Sequence, residues 1–172
     1  MDTSEVEIRF QDGRTLHMQG EWEAALDGYR AVLALDPRHF RALTNLGDCL
    51  DRLGRNAEAE AAFAQACAAA PNEARPRYNL ARQHHLRGDL EAAEAGYRRA
   101  LELDPRLIEA ALNLGRLLEE SGRVGEAGSA LQQAVERQPE SAAAQLLLGH
   151  LRFEQQRPLD ALIAYWRAAE IA

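Results

Sequence analysis

Small and apolar residues recur along this chain with a period of 34. Pro37, Pro71, Pro105 and Pro139 are spaced 34 residues apart, and Gly20, Gly54, Gly88 and Gly122 each precede one of them by 17. Proline cannot extend a helix, because it lacks the N–H and clashes with the preceding turn. Glycine suits the left-handed residue that closes a helix. The pattern predicts a repeating unit of helix, tight turn, helix, tight turn, with helices of about fourteen residues, an ordinary length. Between these breaks run columns of small residues: Gly13, Gly47, Ala81, Gly115 and Gly149; Ala25, Ala59, Ala93, Ala127 and Ala161; and Val32, Ala66, Ala100, Ala134 and Ala168. Small side chains let helix axes approach closely. Larger columns fill the remaining space: Tyr29, Phe63, Tyr97, Leu131 and Tyr165, and Leu46, Leu80, Leu114 and Leu148. The expectation is an all-α chain of ten helices and no strand. It forms a single array over residues 1–172, with repeats at about 6–39, 40–73, 74–107, 108–141 and 142–172.

The second repeat reads Leu43-x2-Leu46-Gly47-x2-Leu50, then Ala59-x3-Phe63, then Pro71. This resembles the tetratricopeptide repeat family, whose 34-residue pattern is Trp-x2-Leu-Gly-x2-Tyr, Ala-x3-Phe and Pro. The resemblance extends over residues 6 to 172. It implies a right-handed superhelical α-solenoid of five helix-turn-helix repeats, whose first helices line a concave face that holds a peptide or helix of a partner. Two places depart from the pattern. The first repeat has Asp12 where the others carry Leu, and Arg9 where an apolar residue is usual, which predicts a frayed or solvated first helix. The fifth has Gln156 in place of the turn glycine, and Pro158 near the start of its last helix, a position proline tolerates.

Composition narrows the partners. There are 20 Lys and Arg against 27 Asp and Glu, a formal net charge of −7. Nucleic acid is not expected, because phosphate backbones are bound by Lys and Arg that release counterions. There is no signal-peptide run and no stretch approaching a transmembrane span, so no membrane contact and a cytoplasmic location are expected. The Arg-rich, Lys-poor usage suggests a bacterial source of high GC content. Cys49 and Cys67 have no metal or redox spacing and are expected to be buried, reduced thiols. No phosphate loop, nucleophile triad or zinc spacing appears, so no catalytic residue, cofactor or metal is expected. Neighbours such as His84 and His85 point about 100° apart on a helix and do not readily share an ion.

Three groups fall on the inner face by register. Asn45, Asn79 and Asn113, preceded by Gln11 and broken by Leu147, form a row of amides. An amide offers a donor and an acceptor together, matching one peptide unit, although such side chains also bond readily to local backbone. The row resembles the asparagine ladder of some glycosyltransferase repeat domains. Arg41, Arg75, Arg82 and Arg116, with Arg14 and His150, supply forks suited to carboxylates. Asp48, Asp51, Glu109, Glu119 and Glu120 share the surface and offer internal partners for them. Phe10, Tyr78, His85, Leu86, Leu112, Leu146 and Phe153 are candidate anchors, with Leu112 and Leu146 also readable as structural. One subclass of the family clamps chaperone terminal carboxylates with Lys, Asn, Asn, Lys and Arg. The corresponding places hold Phe10, Arg14, Asn45, Arg75 and Asn79; only Asn45 is identical, so that subclass is not expected.

The function expected is that of a protein–protein interaction scaffold or adaptor. The alternative is a substrate-recruiting arm of a larger enzyme, for example a glycosyltransferase or methyltransferase. The last helix, from Pro158, is apolar on most sides and lacks the polar outer face of a capping helix. Tyr165, Trp166, Ala169 and Ile171 therefore predict self-association through the C-terminal end, or else a native chain that continues into further repeats or a cap.

Overall fold

A computed structural model of the chain describes residues 3–171; Met1, Asp2 and Ala172, which the sequence places at the ends of the array, lie outside the described residues. Among the described residues there are ten helices and no strand: α1 (Thr3–Gln19), α2 (Trp22–Leu35), α3 (Phe40–Arg52), α4 (Asn56–Ala69), α5 (Ala74–Leu86), α6 (Leu90–Leu103), α7 (Ile108–Glu120), α8 (Val124–Arg137), α9 (Ala142–Glu154) and α10 (Pro158–Ile171). The second helix of each of the first four repeats stops two residues before its column proline. In two of these breaks the residue before proline is an Asp whose Oδ1 accepts the N–H two residues on, Arg38 to Asp36 at 3.0 Å and Arg106 to Asp104 at 2.9 Å. This turn chemistry ends the helix actively.

The turn inside each repeat takes a left-handed residue. Gly20, Gly54, Gly88 and Gly122 have φ between 72° and 81°, and Gln156 takes the same role at φ 58°. The same backbone bonds hold it: Gly54 N–H donates to Asp51 O and Arg55 N–H to Leu50 O, as Gln156 N–H donates to Phe153 O and Arg157 N–H to Arg152 O. Pro158 is the first residue of α10, where its missing N–H is not needed.

The chain divides into two compact units, Met1–Gln83 and His84–Ala172, the division falling inside α5. In the first unit, α2 packs on α1 and α3, and α3 on α4. Its core gathers Phe10, Leu26, Tyr29, Leu50 and Phe63 around the small residues Ala25, Ala42 and Ala59. In the second unit, α7 packs on α6 and α8, and α9 on α8 and α10. Leu114, Leu117, Leu118, Leu131 and Leu151 are fully enclosed there. In the pairs α1–α2, α3–α4, α7–α8 and α9–α10, a small residue of the first helix seats a large one of the second. A Cβ on Gly47 would lie 2.5 Å from the Phe63 ring, one on Gly149 2.6 Å from Tyr165, and one on Gly115 2.9 Å from Leu131.

Of the two outcomes expected for the first helix, frayed or solvated, the structure has the second: α1 is regular over Thr3–Gln19, with Arg9 and Asp12 exposed. Phe10 is not a groove anchor, being only 2% exposed, with its ring 4.9 Å from His39 and 6.0 Å from Tyr29. Cys49 and Cys67 are buried free thiols.

A seat position and a turn position should respond in opposite ways to substitution. Gly47→Ala is expected to destabilise by about 1–3 kcal/mol through overpacking against Phe63. Gln156→Gly should stabilise by about 0.5–1 kcal/mol, because left-handed backbone is unfavourable for a residue with a Cβ. Urea titrations followed by circular dichroism read both.

Candidate functional site

In the first unit, α1, α3 and the first turns of α5 bring their polar side chains to one face. A cleft of about 270 Å³ is lined there by Arg14, Arg41, Asn45 and Arg75, with Phe40 and Pro76 as apolar walls. The three arginines are exposed. Arg41 lies over the Phe10 ring at 4.9 Å, within cation–π range, and 3.4 Å from Glu7. A wider recess continues along the same helices past Asp48, Asp51, Arg52 and Asn79.

The floor of that recess is a hydrogen-bonded network. Arg82 donates to Asp51 Oδ2 and Gln83 to Asp51 Oδ1, both at 2.6 Å, so both carboxylate oxygens are occupied. Asn79 Nδ2 donates to Asp48 Oδ1 at 2.8 Å. Asn45 Nδ2 donates to the Tyr29 hydroxyl at 3.2 Å, and His17 Nδ1 lies 3.3 Å from the same oxygen. Burial governs the titration here. It pushes the Tyr29 phenol and the Cys49 thiol up to about 12, and lowers His17, which Arg52 lowers further. The Asp48 carboxyl rises to about 6; burial is the largest cause and Asp51 adds to it, while Arg82 and Arg75 pull the other way.

The residues singled out from sequence thus divide. Arg41 and Arg75 are exposed in the cleft with the half-buried Asn45. Arg82 is half-buried and committed to Asp51. Asn79 is 4% and Tyr78 9% exposed, so both belong more to the floor than to the rim. In the second unit, His85 Nε2 sits 3.1 Å from Glu120 and its Nδ1 3.4 Å from the Tyr97 hydroxyl. Asn113 is half-buried and Arg116 exposed. Leu146 and Phe153 are exposed, so Leu146 is not a core residue. Glu119, His150 and Glu154 bring ligand atoms within 4.8 Å of one another, with His150 Nδ1 3.1 Å from Glu119 Oε1. Sequence reading missed the parts played by Gln83 and His17. Their partners lie 32 and 12 residues away, separations that only packing turns into contacts. The Glu119–His150 pair is one of the internal pairings that the shared surface offered.

On α10, Trp166, Ala169 and Ile171 are exposed and Tyr165 is half-buried. No helix among the described residues is long and apolar enough to cross a membrane.

A chain of helix-turn-helix units with small-residue seats, left-handed turns and a polar cleft on its first helices is a helical repeat protein of the interaction type. The sequence profile described as "Tetratricopeptide repeat" matches residues 13–74 and again 84–151, and the chain belongs to that family. Solved structures agree in fold. PilF of Pseudomonas aeruginosa superposes with TM-score 0.89 at 18% identity, covering 97% of this chain and 76% of its own. MamA of Desulfovibrio magneticus RS-1 gives 0.82 at 17% identity, covering 99% and 97%. YrrB, described as a repeat protein of this family with an unusual peptide-binding site, gives 0.72 at 24% identity, covering 95% and 84%. A search of curated protein sequences gave no match.

The raised Asp48 pKa has a consequence for stability. The folded chain holds this proton up to about pH 6, whereas the unfolded chain releases it near 3.8. Stability from this group is therefore full below about pH 4 and is lost as pH rises through about 6. Asp48→Asn keeps an acceptor for Asn79 and removes the buried charge. It should stabilise the protein at pH 8 by about 2–3 kcal/mol and leave it nearly unchanged at pH 4. Thermal melts of both proteins across that range check the sign.

Proposed function

We propose that this chain is a protein-interaction scaffold, without catalysis or a cofactor of its own, that acts as one array of five repeats in the cytoplasm. The cleft of the first unit takes an extended acidic peptide or helix face from a partner protein. The observation that carries this reading is that the exposed Arg14, Arg41 and Arg75 line one cleft whose walls, Phe40 and Pro76, are apolar. That pairing suits a segment carrying a carboxylate beside an apolar side chain. Arginine forks bind carboxylates in two-point fashion, and a desolvated apolar anchor supplies most of the affinity in such contacts. The amide oxygen of Asn45 would accept a peptide N–H in the same cleft. Asn79 and Arg82 act as positioning residues, holding the floor through Asp48 and Asp51, and Tyr78 lines the same recess. His85, Asn113 and Arg116 hold corresponding register positions in the second unit, which we propose carries a contact face of its own. Free, buried thiols suit a reducing compartment. We further propose that the exposed residues of α10 serve self-association.

Binding of fluorescent peptides that differ only in acidic content tests the cleft. Arg41→Ala with Arg75→Ala should weaken the acidic peptide at least tenfold and flatten its salt dependence, because the lost contacts are screened ion pairs. Asn79→Ala should lower thermal stability with only a small effect on affinity. The opposite ranking would move recognition from carboxylate to main chain.

A further inference from the structure

The second helices of the array share a register, and α10 breaks it in one respect. Leu159, Leu162, Ile163 and Trp166 are 76%, 63%, 47% and 62% exposed. Their spacing of 0, 3, 4 and 7 places them on one helix face. The equivalent positions of α2 are Glu23, Leu26, Asp27 and Arg30, and those of α6 are Glu91, Glu94, Ala95 and Arg98. In α8 they are Gly125, Gly128, Ser129 and Gln132. Helix α9 covers two of the α8 positions: Gly128 lies against Leu151 and Gln155, and Gln132 accepts a hydrogen bond from Arg152 at 2.6 Å. Apart from Leu26, which is buried, this face carries small, polar or charged residues in α2, α6 and α8. A stripe of four large apolar side chains at these positions occurs in α10 and in none of those three helices.

Charge identifies what would cover the face. Asp160 and Arg167 each follow a residue of the stripe and are seven positions apart, so both lie along the same edge of it. Arg167 is exposed, and Asp160 is half-buried, its carboxylate paired with the exposed Arg157. In two antiparallel helices related by a two-fold axis across them, each edge faces the same edge of the mate in reversed order. Asp160 then meets Arg167 of the second copy, and Arg167 meets Asp160. The register that does this also sets Ile163 against Trp166 and Leu162 against Ala169 of the second copy. In a parallel pair this edge would face the opposite one, and the complementarity would be lost.

We propose that two copies of this chain pair through α10 in an antiparallel, two-fold symmetric arrangement, with Asp160 of each copy against Arg167 of the other. The proposal rests on the self-association put forward above and specifies its geometry. Isologous pairing closes on itself, so the assembly stops at a dimer, and the charged edge sets its orientation as flanking charges do in paired helices.

The test is sedimentation equilibrium on the full chain. Wild type should form a concentration-dependent dimer, and Trp166→Glu should abolish it. Asp160→Arg alone and Arg167→Asp alone should each raise the dimer Kd about tenfold, since each replaces two attractive pairs by two repulsive ones. An equimolar mixture of the two variants should associate as tightly as wild type, because every cross-copy pair is again of opposite charge. Circular dichroism confirms that each variant is folded. Ile163→Cys, near the axis and far from the helix ends, should crosslink to its own mate on oxidation. A wild-type monomer overturns both the geometry and the self-association. A dimer that Trp166→Glu abolishes, but whose charge-reversed variants do not rescue each other, overturns the geometry alone.

Discussion

Four of the helix pairs, α1–α2, α3–α4, α7–α8 and α9–α10, depend on one contact, a small residue of the first helix seated against a large residue of the second. Gly47 on Phe63, Gly115 on Leu131 and Gly149 on Tyr165 leave no room for a Cβ, and Gly13 approaches the Tyr29 ring nearly as closely. The close approach lets the alanines at 59, 127 and 161 be fully enclosed, and it brings polar side chains of consecutive first helices within hydrogen-bonding distance. Interiors packed this tightly deform little, so the positions of the cleft residues are inherited from the seats beneath them.

That inheritance explains the mixed character of the first unit's polar face. Tyr29 fills the seat of repeat one, and its hydroxyl emerges where Asn45 and His17 reach it. One repeat further on, Asp48 and Asp51 are drawn into the junction with α5 and must be satisfied there by Asn79, Arg82 and Gln83. Buried polar groups that are fully partnered rigidify a site. The charge of Asp48 is nonetheless kept at a cost in stability, as its raised pKa shows. Arg14, Arg41 and Arg75 stay exposed at the rim of this network, and Arg75 still acts on Asp48 through its charge. Ion pairs on the outer helices, such as the ring of Glu94, Arg98, Arg123 and Glu126, are solvated and add little to stability.

The last helix shows how one fold carries two kinds of surface. Its inner side keeps the repeat's rule, with Ala161, Ala164 and Ala168 enclosed. Its outer side abandons the rule, with Leu162 and Trp166 where α8 has Gly128 and Gln132. Nothing about folding a helix pair requires those side chains.

The sequence by itself determined the ten helices found among the described residues, their ends and the family. Those depend on local chemistry that repeats every 34 residues: proline that cannot extend a helix, glycine that takes positive φ, and small residues in register. Even Gln156 was legible as a turn residue, because the period marks the place whatever occupies it. The inner-face register was legible too, but not the allegiance of its members. Phe10, Asn79 and Arg82 looked available for a partner and are taken up by His39, Asp48 and Asp51. Those partners lie about 30 residues away, and which donor meets which acceptor is set by how far one repeat is rotated and shifted on the next. That quantity is the sum of many packing contacts and has no local code, so only the tertiary structure decided which side chains of the inner face are taken up within the fold.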